Sequence, residues 1–280
     1  MASRDDLVYE PTILALDFDG VICDGLREYF QTAWRAYCLI WQSGCQQAPP
    51  GLAAEFYRLR PVVETGWEMP LLLHALLAGI AADHILQGWA AIADHLITSE
   101  KMQPAEIGAI VDDVRDRWIA TDLEGWLAEH RFYPGIIAQL QEWVAHSATG
   151  LVIISTKEGR FIRQLLQQQQ VFLSDQQIIG KEAKRPKHQV LRELMTQYIE
   201  TASFWFVEDR LKTLLSVKEH LDLDTIGLYL ADWGYNLEPD RQLAEQDDRI
   251  NLLTLDQFSQ PFTTWKRANN KIVMTTDLDS

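Results

Sequence analysis

Four short runs of consecutive apolar residues restrict most strongly how this chain can fold. They cover residues 12–17, 150–155, 204–207 and 225–230, and a weaker fifth run covers residues 250–255. Their side chains are apolar without alternation, which is typical of strands that are covered on both faces. Amphipathic helical patterns separate the later runs from one another. Strands that alternate with helices predict an α/β fold built on a Rossmann-like, doubly wound parallel sheet.

One long interruption of this alternation follows the first apolar run. Between Leu26 and Arg131 the sequence shows helical periodicity and no convincing strand. A segment of about a hundred residues is too long to be a loop, so we expect an α-helical lobe inserted into the core. The predicted organisation is core at 1–25, helical cap at 26–130, core at 131–258, and a tail with little periodicity at 259–280.

The charge and hydropathy of the chain restrict its partners. The 280 residues carry a net charge of −15, and such a surface repels the phosphate backbone of nucleic acids. The longest apolar stretch, residues 70–82, is too short to cross a bilayer. The first residues lack the basic-then-apolar pattern of a signal peptide. We therefore expect a cytoplasmic protein that binds neither nucleic acid nor membrane.

Acidic residues follow two of the predicted strands at their carboxyl ends. Asp17 and Asp19 follow the first apolar run, and Glu208 and Asp209 follow the run at 204–207. Ligands of open α/β sheets bind beyond the carboxyl ends of the strands, so these side chains are expected to share one site. Carboxylates packed together repel one another unless a cation lies among them, and Mg²⁺ is a hard cation that favours oxygen ligands. An aspartate in such a site can itself attack phosphorus.

A hydroxyl group and two lysines complete the polar set. Ser155 ends the second apolar run, and Lys184 and Lys187 precede a predicted helix. A hydroxyl and an ammonium group stabilise the oxygens of a phosphoryl group. Together with the carboxylates, they indicate chemistry on a phosphate ester.

These polar segments resemble, in order, the four sequence motifs of the haloacid-dehalogenase-like (HAD) superfamily. LDFDGVICD is similar to motif I, DxDGxxxD, and the segment from YPGIIAQLQEW to GLVIISTK is similar to motif II. RPKHQVLREL resembles the region of the motif III lysine, and FVEDR resembles motif IV. The helical insertion after motif I resembles a C1-type cap, as in phosphoglycolate phosphatases and β-phosphoglucomutases.

The resemblance implies a role for each matching residue. Asp17 would be the nucleophile and a ligand of Mg²⁺. Asp19 would act as general acid and then as general base, with its backbone carbonyl on the metal. Asp209 would complete the metal site, and Ser155 would bind the phosphoryl group. Asp19 argues against dehalogenation, because that reaction does not need the second aspartate of motif I.

The resemblance does not fully specify the motif III lysine or the role of Glu208. Lys187 lies immediately before the predicted helix, whereas Lys184 fits the family spacing but has Arg185 where proline is usual. We favour Lys187 as the motif III lysine. Glu208 occupies the variable place before the motif IV aspartate, a place more typical of a residue behind the metal ligands than of a ligand.

The most polar interruption of the cap is RLRPVVETGWE, at 58–68. In C1-capped relatives a segment between cap helices contacts the leaving group of the substrate. This makes Arg60, Glu64, Trp67 and Glu68 candidate substrate contacts. An equally good interpretation is a plain junction between two helices, with a proline and a glycine as helix breakers.

These patterns predict an Mg²⁺-dependent phosphatase that hydrolyses a small phosphorylated metabolite through an aspartyl-phosphate intermediate. A phosphomutase of the β-phosphoglucomutase type shares every core motif and differs in passing the phosphoryl group to a second sugar hydroxyl. A third interpretation is a HAD fold that has lost catalysis and serves as a binding or regulatory protein. The intact Asp17, Asp19 and Asp209 disfavour it. The core motifs do not specify the substrate, because they bind the phosphoryl group that all candidates share.

Overall fold

A parallel β-sheet forms the centre of the molecule. The computed structural model describes residues 10–41, 47–198 and 202–265. The strands in these ranges are β1 (Ile13–Leu16), β2 (Cys23–Asp24), β3 (Arg131–Phe132), β4 (Gly150–Ile154), β5 (Ile178–Ile179), β6 (Phe204–Glu208), β7 (Gly227–Ala231) and β8 (Ile250–Leu253). Six of them form the sheet, in the order β5-β4-β1-β6-β7-β8. All of its pairs are parallel, which confirms the predicted doubly wound α/β core.

The continuous apolar pattern of β1 follows from its central place in the sheet. Leu14 and Leu16 pack into the apolar cluster on one face, whereas Ile13 and Ala15 pack into the cluster on the other. Both faces of the strand are thus covered by helices, and an alternating pattern would place polar groups in one of the two clusters. The edge strand β5 was not predicted, because two residues are too few to show a period.

Helices cover the sheet and fill the insertion after β2. The insertion contains α1 (Leu26–Ile40), α2 (Leu52–Leu59), α3 (Glu68–Leu77), α4 (Ala82–Glu100), α5 (Pro104–Thr121) and α6 (Leu123–Leu127). The core contains α7 (Ile136–His146), α8 (Gly159–Gln168), α9 (Lys187–Gln197), α10 (Leu211–Lys218), α11 (Glu238–Gln246) and α12 (Leu255–Phe258). In the part of the chain that the structure describes, no helix combines the length and the apolar character needed to span a bilayer.

The inserted helices enclose an apolar cluster of their own. It is built mainly from α1 to α5 and includes the buried residues Phe56 and Trp89. The end of the insertion packs against the core instead, because Trp118 and Trp126 belong to the apolar cluster on one face of the sheet. The structure thus attaches the last part of the predicted cap, 26–130, to the core.

Part of the predicted tail also packs on the core. Phe262 and Trp265 are buried against Trp143, with ring centroids 5.3 Å and 6.0 Å from it. The sequence showed no periodicity here, since the segment packs as a short 3₁₀ turn at Phe262–Thr264 rather than as a longer helix. Residues 266–280 of the predicted tail lie outside the described residues.

The chain enters and leaves the insertion through a two-stranded ribbon. Cys23 pairs with Phe132, and Asp24 pairs with Arg131, in antiparallel register. The two crossings between core and insertion therefore lie side by side, next to the loop that follows β1.

Candidate active site

The loop after β1 presents two aspartates at the carboxyl edge of the sheet. Asp17 is buried, and its Oδ1 atom accepts a hydrogen bond of 2.7 Å from the backbone N–H of Phe18. Gly20 has a φ of +92°, a conformation that L side chains rarely adopt, and a Cβ atom there would lie 2.1 Å from Oδ2 of Asp209. The glycine of the DxDG pattern is therefore needed both for the turn and for the close approach of Asp209.

Three carboxylates meet beside this loop. One oxygen each of Asp17, Glu208 and Asp209 lies within 4.8 Å of the others, and all three residues are buried. They meet because β1 and β6 are adjacent parallel strands that end at the same edge. The Nζ atom of Lys187, the first residue of α9, lies 2.9 Å from Oδ1 of Asp17 and 2.7 Å from Oε2 of Glu208.

Burial disfavours the negatively charged form of these three carboxyl groups. It raises the pKa of Asp17 to about 7 and the pKa of Glu208 to about 7, although Lys187 lowers both. It also raises the pKa of Asp209. Burial disfavours the charged form of Lys187, but the facing carboxylates outweigh this and raise the pKa of its ammonium group. One ammonium group thus contacts two of the three carboxyl groups, and a further cation would favour the ionised form of all three.

The donor set fits a hard divalent cation. The cluster of Asp17, Glu208 and Asp209 offers carboxylate oxygens, which are the hard ligands that Mg²⁺ binds, and its excess negative charge favours a divalent ion. Glu208, which we expected behind the metal ligands, lies within the cluster itself. The side chain of Asp19 lies outside this cluster and pairs with Lys157. The resemblance implies that Asp19 binds the metal through its backbone carbonyl instead.

The structure distinguishes the two lysines that the sequence left open. Lys184 is exposed and has a φ of +51°, at the end of the 3₁₀ turn Lys181–Ala183. Lys187 lies three residues later at the start of α9, where its side chain reaches the carboxylates. The position favoured from the sequence is therefore the one that contacts the cluster.

The carboxyl end of β4 supplies the predicted hydroxyl group of Ser155 and, in addition, a lysine that we did not predict, Lys157. Ser155 is buried, and its Oγ atom accepts a hydrogen bond of 3.2 Å from the N–H of Lys157. The Nζ atom of Lys157 lies 3.2 Å from Oδ1 of Asp19 and 5.4 Å from the ring centre of Trp126. A signal for Lys157 was present, because it follows Ser155 by two residues at the same strand end.

Two adjoining cavities open between this edge of the sheet and the helical insertion. One, of about 210 Å³, is lined by Asp17, Lys187, Glu208 and Asp209. The other, of about 340 Å³, extends past Lys157 toward α5. The residues that border both cavities are Asp19, Tyr29, Arg60, Glu64 and Thr156. The space beside Asp17 thus continues past Asp19 into the larger cavity.

Two of the four candidate cap residues lie at these cavities. The guanidinium group of Arg60 packs against two aromatic rings, 5.0 Å from the ring centre of Tyr29 and 4.9 Å from that of Tyr235. Its Nη1 atom donates a hydrogen bond of 2.9 Å to the carbonyl of Val63. The carboxylate of Glu64 lies 2.5 Å from Nζ of Lys212, a residue of α10 in the core.

The other two candidates have positions inside the insertion. Trp67 packs against the apolar cluster of the inserted helices. Glu68 is buried and accepts hydrogen bonds from the backbone N–H groups of Glu64 and Thr65 and from Nε1 of Trp89, the last at 2.7 Å. Neither residue lines the two cavities. The structure therefore places Glu68 as an internal tie of the 58–68 segment, outside the lining of the two cavities.

A further buried carboxylate, Glu28, was not predicted from the sequence. It is fully buried on α1 and accepts hydrogen bonds from Nε of Arg115 at 2.8 Å, Oγ1 of Thr32 at 2.7 Å and Nε1 of Trp126 at 3.1 Å. Burial disfavours its charge, but Arg115 outweighs this and lowers the pKa of Glu28 to about 2. No local pattern marks it, because its main partner is 87 residues away in the sequence. It holds Arg115 at the wall of the larger cavity.

Solved structures share this fold. A predicted phosphatase from Clostridium acetobutylicum superposes with a TM-score of 0.56 at 15% identity, over 90% of this chain and 97% of its own. A predicted phosphoglycolate phosphatase from Haemophilus somnus gives 0.54 at 15% identity, over 89% and 95%. A protein described as a haloacid dehalogenase-like hydrolase, from Bacteroides fragilis, gives 0.53 at 17% identity, over 89% and 99%. No protein-family model and no curated protein matches the sequence. The chain has the fold of HAD-like hydrolases, as the motif order predicted.

Proposed function

We propose that this protein is an Mg²⁺-dependent phosphatase that hydrolyses a small phosphorylated metabolite through an aspartyl-phosphate intermediate, in the cytoplasm. One observation carries the proposal: Asp17, at the end of the central strand, shares a buried cluster with Glu208 and Asp209, with Lys187 in contact with it. The fold shared with proteins described as phosphatases supports it.

In this mechanism Asp17 acts as the nucleophile. One of its carboxylate oxygens attacks phosphorus, and the bond from phosphorus to the leaving oxygen breaks. Asp17, Glu208 and Asp209 would hold Mg²⁺, which neutralises charge on the phosphoryl oxygens when it is bound. Lys187, which lines the smaller cavity, stabilises the same oxygens. Ser155 lines neither cavity but lies next to Thr156, which borders both, and its hydroxyl would bind the phosphoryl group as the resemblance implies.

Asp19 handles the protons. Asp19 borders both cavities. With the phosphoryl group in the smaller cavity and the remainder of the substrate in the larger one, the carboxyl group of Asp19 would face the oxygen that joins them. It gives a proton to that oxygen as the bond breaks, and the freed carboxylate then takes a proton from water. The water oxygen attacks phosphorus, the bond to Asp17 breaks, and inorganic phosphate leaves.

The inserted helices would serve as a cap. Arg60 and Glu64 extend from the insertion to the borders of both cavities, which is the position of groups that contact a leaving group. We assign the cap to residues 26–130, joined to the core through the ribbon of β2 and β3. Enclosing the site excludes water and strengthens its electrostatic interactions.

The decisive experiment is phosphate release from a panel of phosphorylated metabolites with Mg²⁺, with Asp17→Asn as the blank. An amide is a poor nucleophile and a poor metal ligand, so we expect no turnover by the variant at an unchanged circular dichroism spectrum. Labelled phosphate passed to a second sugar would identify a mutase instead. Wild-type protein inactive on the whole panel would favour a binding or regulatory role.

A further inference from the structure

Tyr235 connects parts of the molecule that are far apart in the sequence. It belongs to the core, in the loop between β7 and α11, yet its ring packs into the apolar cluster of the inserted helices. There it meets the ring of Tyr29 edge to face, with centroids 6.0 Å apart, and the guanidinium group of Arg60 at 4.9 Å. The loop after β7 therefore reaches across to the cap.

The backbone of this loop holds the Asp209 carboxylate. The N–H of Tyr235 donates a hydrogen bond of 2.8 Å to Oδ2 of Asp209. A Cβ atom at Gly234 would lie 2.2 Å from Cβ of Asp209 and 2.5 Å from the carbonyl oxygen of Gly20. The loop is thus pressed against the carboxylate cluster, and its position sets the orientation of one proposed metal ligand.

The hydroxyl of Tyr235 lies at the entry to the cap. It accepts a hydrogen bond of 2.8 Å from the N–H of Gly25 and donates one of 3.1 Å to Oδ1 of Asp24. The same Oδ1 atom accepts the N–H of Leu26, the first residue of α1. The hydroxyl therefore fixes the point where the chain leaves the core.

Arg210 ties the same loop to a second part of the cap. Its Nη1 atom donates to the carbonyl of Tyr235 at 2.7 Å and to the carbonyl of Pro61 at 2.8 Å. Pro61 lies in the 3₁₀ turn Arg60–Val62, beside the cavities. The backbone N–H of Arg210 also donates to Oε1 of Glu208 at 3.0 Å.

From these contacts we infer that Tyr235 and Arg210 are positioning residues that couple the placement of the cap to the orientation of the proposed metal ligands. Movement of the cap entry or of the Arg60–Val62 turn changes the loop that holds Asp209. Movement of Asp209 is transmitted to the cap in the same way. The inference rests on the proposed function for its consequence in catalysis, and its structural part is testable without any activity.

Tyr235→Phe isolates the hydroxyl, because the ring and both backbone hydrogen bonds are kept. The readout is amide hydrogen exchange at three amides: Gly25, which donates to the hydroxyl; Val63, which closes the cap turn by donating to Arg60; and Tyr235 itself. We expect all three to exchange roughly 2- to 13-fold faster, the ratio that corresponds to one lost hydrogen bond. The amides of β1 and β6 should exchange at the wild-type rate.

Two further variants sharpen the test. Tyr229→Phe is the matched control, because Tyr229 lies on β7 and packs on Trp205 in the core cluster. It should leave the three amides unchanged. Arg210→Met removes the side-chain ties to Pro61 and Tyr235 but not the bond to Gly25. Coupling predicts faster exchange at Gly25 in this variant too.

The outcomes separate the inference from the proposed function. Faster exchange confined to Gly25 in Tyr235→Phe, or to Val63 in Arg210→Met, would overturn the coupling. If the amides of β1 and β6 exchanged faster by the same factor, Tyr235 would contribute only to global stability.

Titration calorimetry with Mg²⁺ alone should show weaker binding by both variants, and KM should rise more than kcat falls. Coupled exchange in a protein without phosphatase activity would retain the inference and reject the function.

Discussion

The Nζ atom of Lys187 lies 2.9 Å from Oδ1 of Asp17, so the proposed nucleophile is ion-paired before any substrate binds. The same atom lies 2.7 Å from Oε2 of Glu208. The ammonium group is the cation that the described residues place in direct contact with this carboxylate cluster.

Lys187→Met should therefore lower kcat/KM for phosphate release on the order of 10²–10³-fold, as expected when one electrostatic donor is removed from a reacting site. Lys184→Met is the matched control, because Lys184 is exposed and lies three residues earlier. It should retain wild-type kcat/KM. Equal losses in the two variants would contradict the assignment of Lys187.

Asp19→Ala should lower kcat on the order of 10²–10⁴-fold for alkyl phosphates, the usual contribution of a positioned general acid. Aryl phosphates have leaving groups that need less protonation, so the loss should be smaller for them. Steady-state kinetics on both ester types gives the comparison. A loss of the same size on both would argue that Asp19 is not the acid.

Arg60→Ala and Glu68→Ala should have different effects, although the two residues are close in sequence. Arg60 borders both cavities, so its loss should raise KM more for the native substrate than for a small aryl ester. Glu68→Ala leaves Nε1 of Trp89 without its acceptor, which should lower the free energy of unfolding by about 1–3 kcal/mol. Denaturant unfolding gives the free energy of unfolding of each variant, and steady-state kinetics gives its KM for both substrates. A KM effect without destabilisation in Glu68→Ala would contradict the structural role.

The metal-free protein should lose stability relative to Glu208→Gln as the pH rises toward 7. Glu208 has an ordinary pKa of 4.5 in the unfolded chain, and burial raises its pKa to about 7 in the folded protein. The folded state therefore binds more protons between these values. The resulting stabilisation is complete below about pH 4.5 and is lost as the pH passes about 7.

The measurement is the Tm of both proteins in chelator, from about pH 5 to about pH 8, where this linkage acts. Comparing the two cancels the opposite contribution of His130, because the pKa of His130 is lowered, to about 4, chiefly by its own burial. Excess Mg²⁺ should restore the wild-type Tm at the upper end of the range. Parallel profiles in chelator would contradict the raised pKa of Glu208.

The sequence by itself determined five of the six strands of the sheet and the acidic residues at its carboxyl edge. The apolar run of β1 and the adjacent Asp17 and Asp19 are neighbours in the chain, and so are the run of β6 and Asp209. Burial on both faces leaves a local record in each strand, and parallel strands with helical crossovers must end at the same edge. The position of the site followed from these local patterns.

The tertiary structure alone decided which other side chains reach that edge. Lys187 rather than Lys184 contacts Asp17 because of the turn that precedes α9, and Glu28 meets Arg115 across 87 residues. The hydroxyl of Tyr235 meets Gly25 across 210 residues. Such pairs depend on how elements that are far apart in the chain pack against one another. No period in the sequence records that packing, because each partner satisfies its local pattern equally well without the other.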